Sequence, residues 1–191
     1  MIEFTPFPKV ARLNRNIIIT EKIDGTNAAV GVTEEGQVYA QSRTRLITPD
    51  QDNFGFARWV QENASMLREV LGVGVHFGEW WGAGIQRGYG LKEKRFSLFN
   101  SHRWTEALSP SSGDNIIEYV GALGVVPVLY EGPFDQGAIE DSIAALRDEG
   151  SRAAPGFMDP EGVVVYLAAA RTMFKVTVKN DEKPKGSQEE A

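Results

Sequence analysis

Short apolar runs rich in β-branched and aromatic residues recur along the chain, divided by glycine, proline, asparagine and aspartate. This pattern predicts strands over 17–21, 27–33, 37–42, 74–81, 95–100, 125–131, 161–167 and 172–179. Two segments follow the helical period instead. In 54–71, Phe56, Val60, Asn63, Leu67 and Leu71 fall on one stripe behind the cap candidates Asp50, Asp52 and Asn53. In 136–148, Ile139, Ile143 and Leu146 form a second stripe, with Asp135 placed to cap its start and Gly150 just beyond its end. A shorter helix is expected from Asp114 to Gly121, after the turn-forming loop Ser109-Pro110-Ser111-Ser112-Gly113. There is no internal repeat and no convincing linker. Antiparallel-type strands with a few helices between them predict one α+β domain over 1–180. Residues 181–191 lack an apolar anchor and read as a disordered acidic and polar tail.

Composition narrows the function classes. At 191 residues, with 42% hydrophobic and 24% charged, the chain can build one good-sized core. No apolar stretch approaches the roughly 20 residues that span a bilayer. The start, Met1-Ile2-Glu3-Phe4-Thr5-Pro6, lacks the basic and apolar regions of a signal peptide. Cysteine is absent, which excludes disulfides, thiolate metal sites and cysteine nucleophiles. A cytoplasmic protein without membrane association is the expectation. The net charge of −6 does not advertise a polyanion binder. Two basic stretches do, and both also read as solvated faces. One holds Arg87, Lys92, Lys94, Arg95, His102 and Arg103, and the other Arg171, Lys175, Lys179, Lys183 and Lys185.

Candidate chemistry gathers around Glu21-Lys22-Ile23-Asp24-Gly25-Thr26-Asn27, between the apolar runs Ile17-Ile18-Ile19 and Ala28-Ala29-Val30-Gly31-Val32. Lysine is seldom buried unless it is paired. One placed between two strands and followed by Asp-Gly is a poor choice for stability alone, although Asp-Gly is also an ordinary turn signal. The segment resembles the Lys-x-Asp-Gly nucleophile motif of covalent nucleotidyltransferases: DNA ligases, RNA ligases and mRNA capping enzymes. Further segments follow in order: Tyr39-Ala40-Gln41-Ser42-Arg43-Thr44, Phe77-Gly78-Glu79-Trp80-Trp81, Arg95-Phe96-Ser97-Leu98-Phe99-Asn100, Glu161-Gly162-Val163-Val164-Val165-Tyr166 and Phe174-Lys175-Val176-Thr177-Val178-Lys179-Asn180. In this order the chain resembles the adenylyltransferase domain of ATP-dependent RNA ligases, above all the phage and protist enzymes that seal nicks in double-stranded RNA. The resemblance runs from about Glu21 to Asn180. It also allows a phage-encoded protein acting in a bacterial host.

The resemblance implies an ATP-grasp-like ligase adenylation fold, with antiparallel sheets flanked by helices. It implies ATP with Mg²⁺ or Mn²⁺, and Lys22 as the nucleophile that holds AMP as a phosphoramidate. A free lysine, with a pKa of about 10.4, is protonated at neutral pH and cannot attack. Burial and nearby cations activate it, and Lys175, Lys179 and the metal are the expected sources. Asp24 would support the nucleophile, while Glu21 and Asn27 would line the nucleotide site. Arg43 matches an arginine that contacts phosphate or the ligated strand, a role that suits a planar fork of donors. Glu79 matches the carboxylate that holds the ribose, with Trp80 and Trp81 expected to dry the site. Glu161 matches a carboxylate associated with metal near the phosphates. Phe99 and Phe96 lie on opposite faces by alternation, and periodicity leaves open which faces the pocket. The resemblance favours Phe99 for stacking on adenine. The family usually shows two lysines at i and i+2 in the last motif. Here Lys175, Thr177 and Lys179 alternate, so the motif is stretched or Thr177 replaces one lysine. The expected partner is RNA with 5′-phosphate and 3′-hydroxyl ends, with DNA and hybrid ends as alternatives. A DNA-ligase or capping-type nucleotidyltransferase and a non-catalytic nucleic-acid-binding module remain the competing readings. Whether a protein partner is needed is left open by the sequence.

Overall fold

The chain leaves one β-sheet for another directly after Lys22, and this crossover organises the molecule. The computed structural model describes residues 3–4, 6–7, 16–108 and 121–179. The expected helix over 114–121 falls almost wholly outside them, as do the loop 109–113, Asn180 and the expected tail with Lys183 and Lys185. Among the described residues, β1 (Asn16–Lys22), β8 (Val128–Pro133), β9 (Gly162–Leu167) and β10 (Thr172–Thr177) form a four-stranded sheet in the order β10-β9-β1-β8. A six-stranded sheet takes β2 (Thr26–Val32), β3 (Val38–Ser42), β4 (Leu46–Ile47), β5 (Gly74–Gly82), β6 (Lys94–Leu98) and β7 (Leu123–Val125), in the order β4-β3-β2-β5-β6-β7. The pairing is antiparallel except between β6 and β7, which run parallel.

Helices cover one face of each sheet. Alongside the six-stranded sheet lie α1 (Phe56–Glu62) and α2 (Ala64–Leu71), with α3 (Ser101–Leu108) following β6. Phe56, Val60, Leu67 and Leu71 are buried with Val30, Trp80, Phe96 and Leu98 in the larger core. The four-stranded sheet packs α4 (Gln136–Glu149), whose Ile143 and Leu146 meet Ile17, Ile19, Val163 and Val165. Asp135 caps α4 as expected, its carboxylate accepting from Gly137 N at 2.9 Å. A third cluster fills the junction of the sheets with Ile23, Trp81, Tyr89, Val126, Ala153 and Ala154.

Three elements differ from the hydrophobic pattern. The single helix expected over 54–71 is two, broken at Asn63, whose side-chain amide donates to Trp59 O at 2.8 Å and so competes with the helical ladder. The buried stripe survives the break. Asp52 supplies the cap, accepting from Ala57 N at 2.7 Å and Arg58 N at 3.1 Å. The strand expected over 125–131 is divided between the two sheets, with Val126-Pro127 as the crossing point. Val126 N donates to Leu98 O in one sheet, and Pro127 O accepts from Glu21 N in the other. The apolar run Gly124-Val125-Val126-Pro127-Val128-Leu129 is continuous, so periodicity could not reveal the switch. The last strand ends at Thr177 rather than at residue 179, which puts Lys179 beyond the strand face expected for it.

Among the described residues, no helix is long and apolar enough to cross a membrane.

Candidate active site

Lys22 is the last residue of β1, and the turn Ile23-Asp24-Gly25 carries the chain into β2. The turn lies tight on β5. A Cβ at Gly25 would stand 2.5 Å from Trp80 O and 2.7 Å from Trp81 Cβ, so only glycine allows this approach. Gly25 N in return donates to Glu79 Oε1 at 3.1 Å, while Asn27 Nδ2 donates to Glu79 Oε2 at 3.1 Å. From β1's own sheet comes Glu161, just before β9. Its Oε2 lies 2.6 Å from Lys22 Nζ, and the carboxylate is buried while Lys22 is half-buried.

This arrangement fixes the electrostatics. Burial pushes Glu79 up to about 7, with Glu161 and Asp24 pushing the same way against the pull of Lys22 and Gly25 N. At neutral pH Glu79 is therefore a mixture of acid and carboxylate. Alternation along β5 places Glu79 and Trp81 on one face and Trp80 on the other. Only Trp81 can dry the site: Trp80 packs among Phe56, Trp59 and Phe96 in the helix-covered core.

The remaining expected residues take varied places. Asp24 Oδ2 accepts from Arg87 Nε at 2.9 Å, and Asp24 N donates to Tyr89 Oη at 2.9 Å. Glu21 points into the protein, its carboxylate accepting from Ser151 Oγ at 2.6 Å, Arg152 N at 2.8 Å and Ala153 N at 2.9 Å. Burial raises the Glu21 pKa against those hydrogen bonds. The side chain thus anchors the end of β1 to the segment following α4. Arg43 is exposed in the turn between β3 and β4. Phe96 is fully buried, and Phe99, 40% exposed, lies just past β6 with its N–H on Phe77 O at 3.0 Å. Phe77 is 58% exposed beside it.

The register of β1, β9 and β10 sorts the last motif. Lys22 faces Gly162, and Gly162 faces Thr177, so Thr177 rather than Lys175 shares the nucleophile's row. A Cβ at Gly162 would stand 2.1 Å from Val176 O, so the row closes only around glycine. Lys175 is exposed two rows further along, opposite Val164. Lys179 Nζ reaches Asp159 Oδ1 at 2.6 Å.

Sequence reasoning missed Arg87 and Asp159 as parts of this constellation. Arg87 Nη1 donates to both Asp159 O at 2.9 Å and Asp159 Oδ2 at 2.8 Å. The available signal was the glycine-rich stretch Gly82-Ala83-Gly84-Ile85-Gln86-Arg87-Gly88-Tyr89-Gly90, which is unusual for a merely solvated basic face.

Two antiparallel-rich sheets with a lysine at their crossover, opposed by carboxylates from both, define the fold of ligase-type nucleotidyltransferase domains. The sequence profile of the RNA ligase family matches residues 15–177, and the chain belongs to that family. Among solved structures it is similar to a variant of the Naegleria gruberi RNA ligase with ATP and Mn, at 19% identity and TM-score 0.59, over 86% of this chain and 50% of that one. Another variant of that ligase with ATP and Mn gives 18% identity and TM-score 0.57, over 86% of this chain and 49% of that one. An archaeal ATP-dependent RNA ligase gives 22% identity and TM-score 0.57, over 91% of this chain and 48% of that one. The chain therefore spans about half the length of these structures. No curated protein matches it by sequence.

Proposed function

We propose that this chain is the nucleotidyltransferase unit of an ATP-dependent RNA ligase, joining 5′-phosphate and 3′-hydroxyl ends through a lysyl-AMP intermediate on Lys22. The observation that carries the reading is the Lys22–Glu161 pair at 2.6 Å, set across the sheet crossover from a buried Glu79. An amine in this place is held on a rigid strand end, with a proton acceptor in contact. Attack of Nζ on the α-phosphorus forms a P–N bond and breaks the bond to the bridging oxygen, releasing pyrophosphate; the amine gives up a proton. A 5′-phosphate oxygen then attacks the adenylate phosphorus, and the P–N bond breaks. Finally the 3′-hydroxyl attacks the activated phosphate, expels AMP and loses its proton. Glu79 suits the ribose, because its ionised form accepts hydrogen bonds and Gly25 N and Asn27 hold it in place. Phe99 is the exposed ring offered to adenine, and Thr177 and Lys179 are the candidates for the phosphates. Arg43, exposed at the rim, suits the polynucleotide.

The donors fit a divalent cation. Glu161 would hold it, and no cluster of three or more His, Asp or Glu that could cage an ion occurs among the described residues. Mg²⁺ is typically bound in this way, through one or two carboxylates, with waters and substrate phosphates completing its shell. When bound it would neutralise charge on the triphosphate.

Incubation with α-labelled ATP, followed by denaturing electrophoresis, tests the reading. A covalent band from ATP rather than GTP is expected. A protein that takes no label would refute it, and preferential labelling from GTP would favour a capping-type transfer. Sealing of nicked RNA, DNA and hybrid duplexes by the labelled protein then tests the substrate.

A further inference from the structure

Three carboxylates, Asp24, Glu79 and Glu161, surround Lys22, and a fourth, Asp159, stands two residues before Glu161, a hostile setting for a triphosphate. Asp24 and Asp159 are joined by one guanidinium. Arg87 Nε contacts Asp24 Oδ2 at 2.9 Å, and its Nη1 contacts Asp159 Oδ2 at 2.8 Å and Asp159 O at 2.9 Å. Asp24 lies two residues after Lys22, and Asp159 two residues before Glu161. Arg87 therefore ties the segment leaving the nucleophile to the segment entering its partner, beside the paired strands β1 and β9. The loop delivering it is strained. Gln86 and Tyr89, on either side of Arg87, both adopt positive φ, at 45° and 52°. Non-glycine residues in that region persist only where the surroundings hold them there. The holding groups are the buried Ile85 and the Tyr89 hydroxyl, which accepts from Asp24 N.

We propose that Arg87 is a positioning residue for nucleotide transfer, neutralising Asp24 and Asp159 so that the polyphosphate can approach Lys22. The proposal rests on the reading of Lys22 as the adenylylated residue. It follows from geometry and charge. Lysine could not replace Arg87 fully, since a single ammonium lacks the planar fork that spans both carboxylates and the carbonyl. Asp159 has a second cation in Lys179 at 2.6 Å, so removing Arg87 leaves Asp24 the less compensated and makes Lys179 the sole partner of Asp159 among the described residues. Lys179 is then held more firmly to a carboxylate and withheld from phosphate.

The test compares the unmodified protein with Arg87→Ala, Arg87→Lys and the double variant Arg87→Ala/Asp159→Asn, reading label transfer from α-labelled ATP against ATP concentration. Arg87→Ala should raise KM for ATP about fivefold, the scale of one partly exposed charge interaction, with a smaller fall in the maximal rate. Arg87→Lys should lie between the two. Adding Asp159→Asn should bring KM back towards that of the unmodified protein, because it removes one repelling charge and frees Lys179. A merely structural arginine would lower the melting temperature without this recovery, since the second substitution restores no packing. Unchanged KM in Arg87→Ala, or no recovery in the double variant, overturns the proposal while leaving Lys22 in its role. An unmodified protein that takes no label overturns the parent reading and this one together.

Discussion

At the scale of single residues, Lys22, Glu79 and Glu161 carry separable expectations. Lys22→Ala should fold normally and take no label. Lys22→Arg should fail equally, because a guanidinium stays protonated and is a poor nucleophile. Labelled protein in either variant, seen on a denaturing gel, would remove Lys22 from the chemistry. Glu161→Ala and Glu79→Ala should both slow label transfer, but raising Mg²⁺ or Mn²⁺ should rescue only the first, since a hard cation can regain waters in place of one lost carboxylate. Equal rescue in a metal titration would contradict the two roles. Glu79 also sets a pH dependence. Its pKa is raised from 4.5 to about 7, so between those values the folded protein binds more protons than the unfolded chain. Its contribution to stability is complete below pH 4.5 and falls as pH rises through 7. Glu79→Gln should thus gain in relative melting temperature from pH 5 to pH 8, as thermal melts across that range would record. The sequence made these three positions legible because each sits in a short motif with an unusual neighbour: Lys before Asp-Gly, Glu after Phe-Gly, Glu before Gly-Val. Arg87 and Asp159 were not legible as partners. Their pairing depends on a strained loop meeting a turn 72 residues away, and neither periodicity nor charge counting encodes such a meeting.

Among the elements, strand faces decide which aromatic serves the pocket. Phe96 is fully buried beside Phe56 and Trp59, so Phe96→Ala should cost about 3–5 kcal/mol and lower the denaturation midpoint. Phe99→Ala should leave stability nearly unchanged and raise KM for ATP. The opposite pattern in paired melting and labelling experiments would show that β6 presents the other ring. Alternation put the two rings on opposite faces without naming the covered one; burial by α1 decides it. The same limit explains the divided strand at Val126-Pro127, where an unbroken apolar run conceals a change of sheet. Helix stripes were more legible, because burial every third or fourth residue survives even the break at Asn63. The glycine at position 162 was legible only as part of a motif. Its necessity comes from the approach of β10, and Gly162→Ala should push β10 from β9, lowering both stability and label transfer.

For the whole molecule, the antiparallel-rich α+β architecture could be read from the sequence, while the division into two sheets could not. Division depends on pairings between distant strands. A charge of −6 bears on function at this scale. Adenylylation needs only the pocket and should vary little with salt, whereas sealing needs a polyanion held by local basic stretches. Sealing by this chain should therefore be weak and fall steeply from 50 to 200 mM salt, with a log–log slope of about −0.9 for each phosphate contact on a B-form duplex. Equal, shallow slopes for the two steps, measured on a nicked duplex with a 5′-phosphate, would mean that phosphate contacts do not limit sealing. The pairing of Lys22 with Glu161 spans 139 residues of chain. During synthesis the nucleophile therefore emerges well before its partner and the strand that flanks it. A ribosome-bound chain halted before β9 should hence remain unreactive towards ATP even with Lys22 fully exposed, and reactivity should switch on only once β9 and β10 have docked. Label incorporation would then report that β9 and β10 have docked.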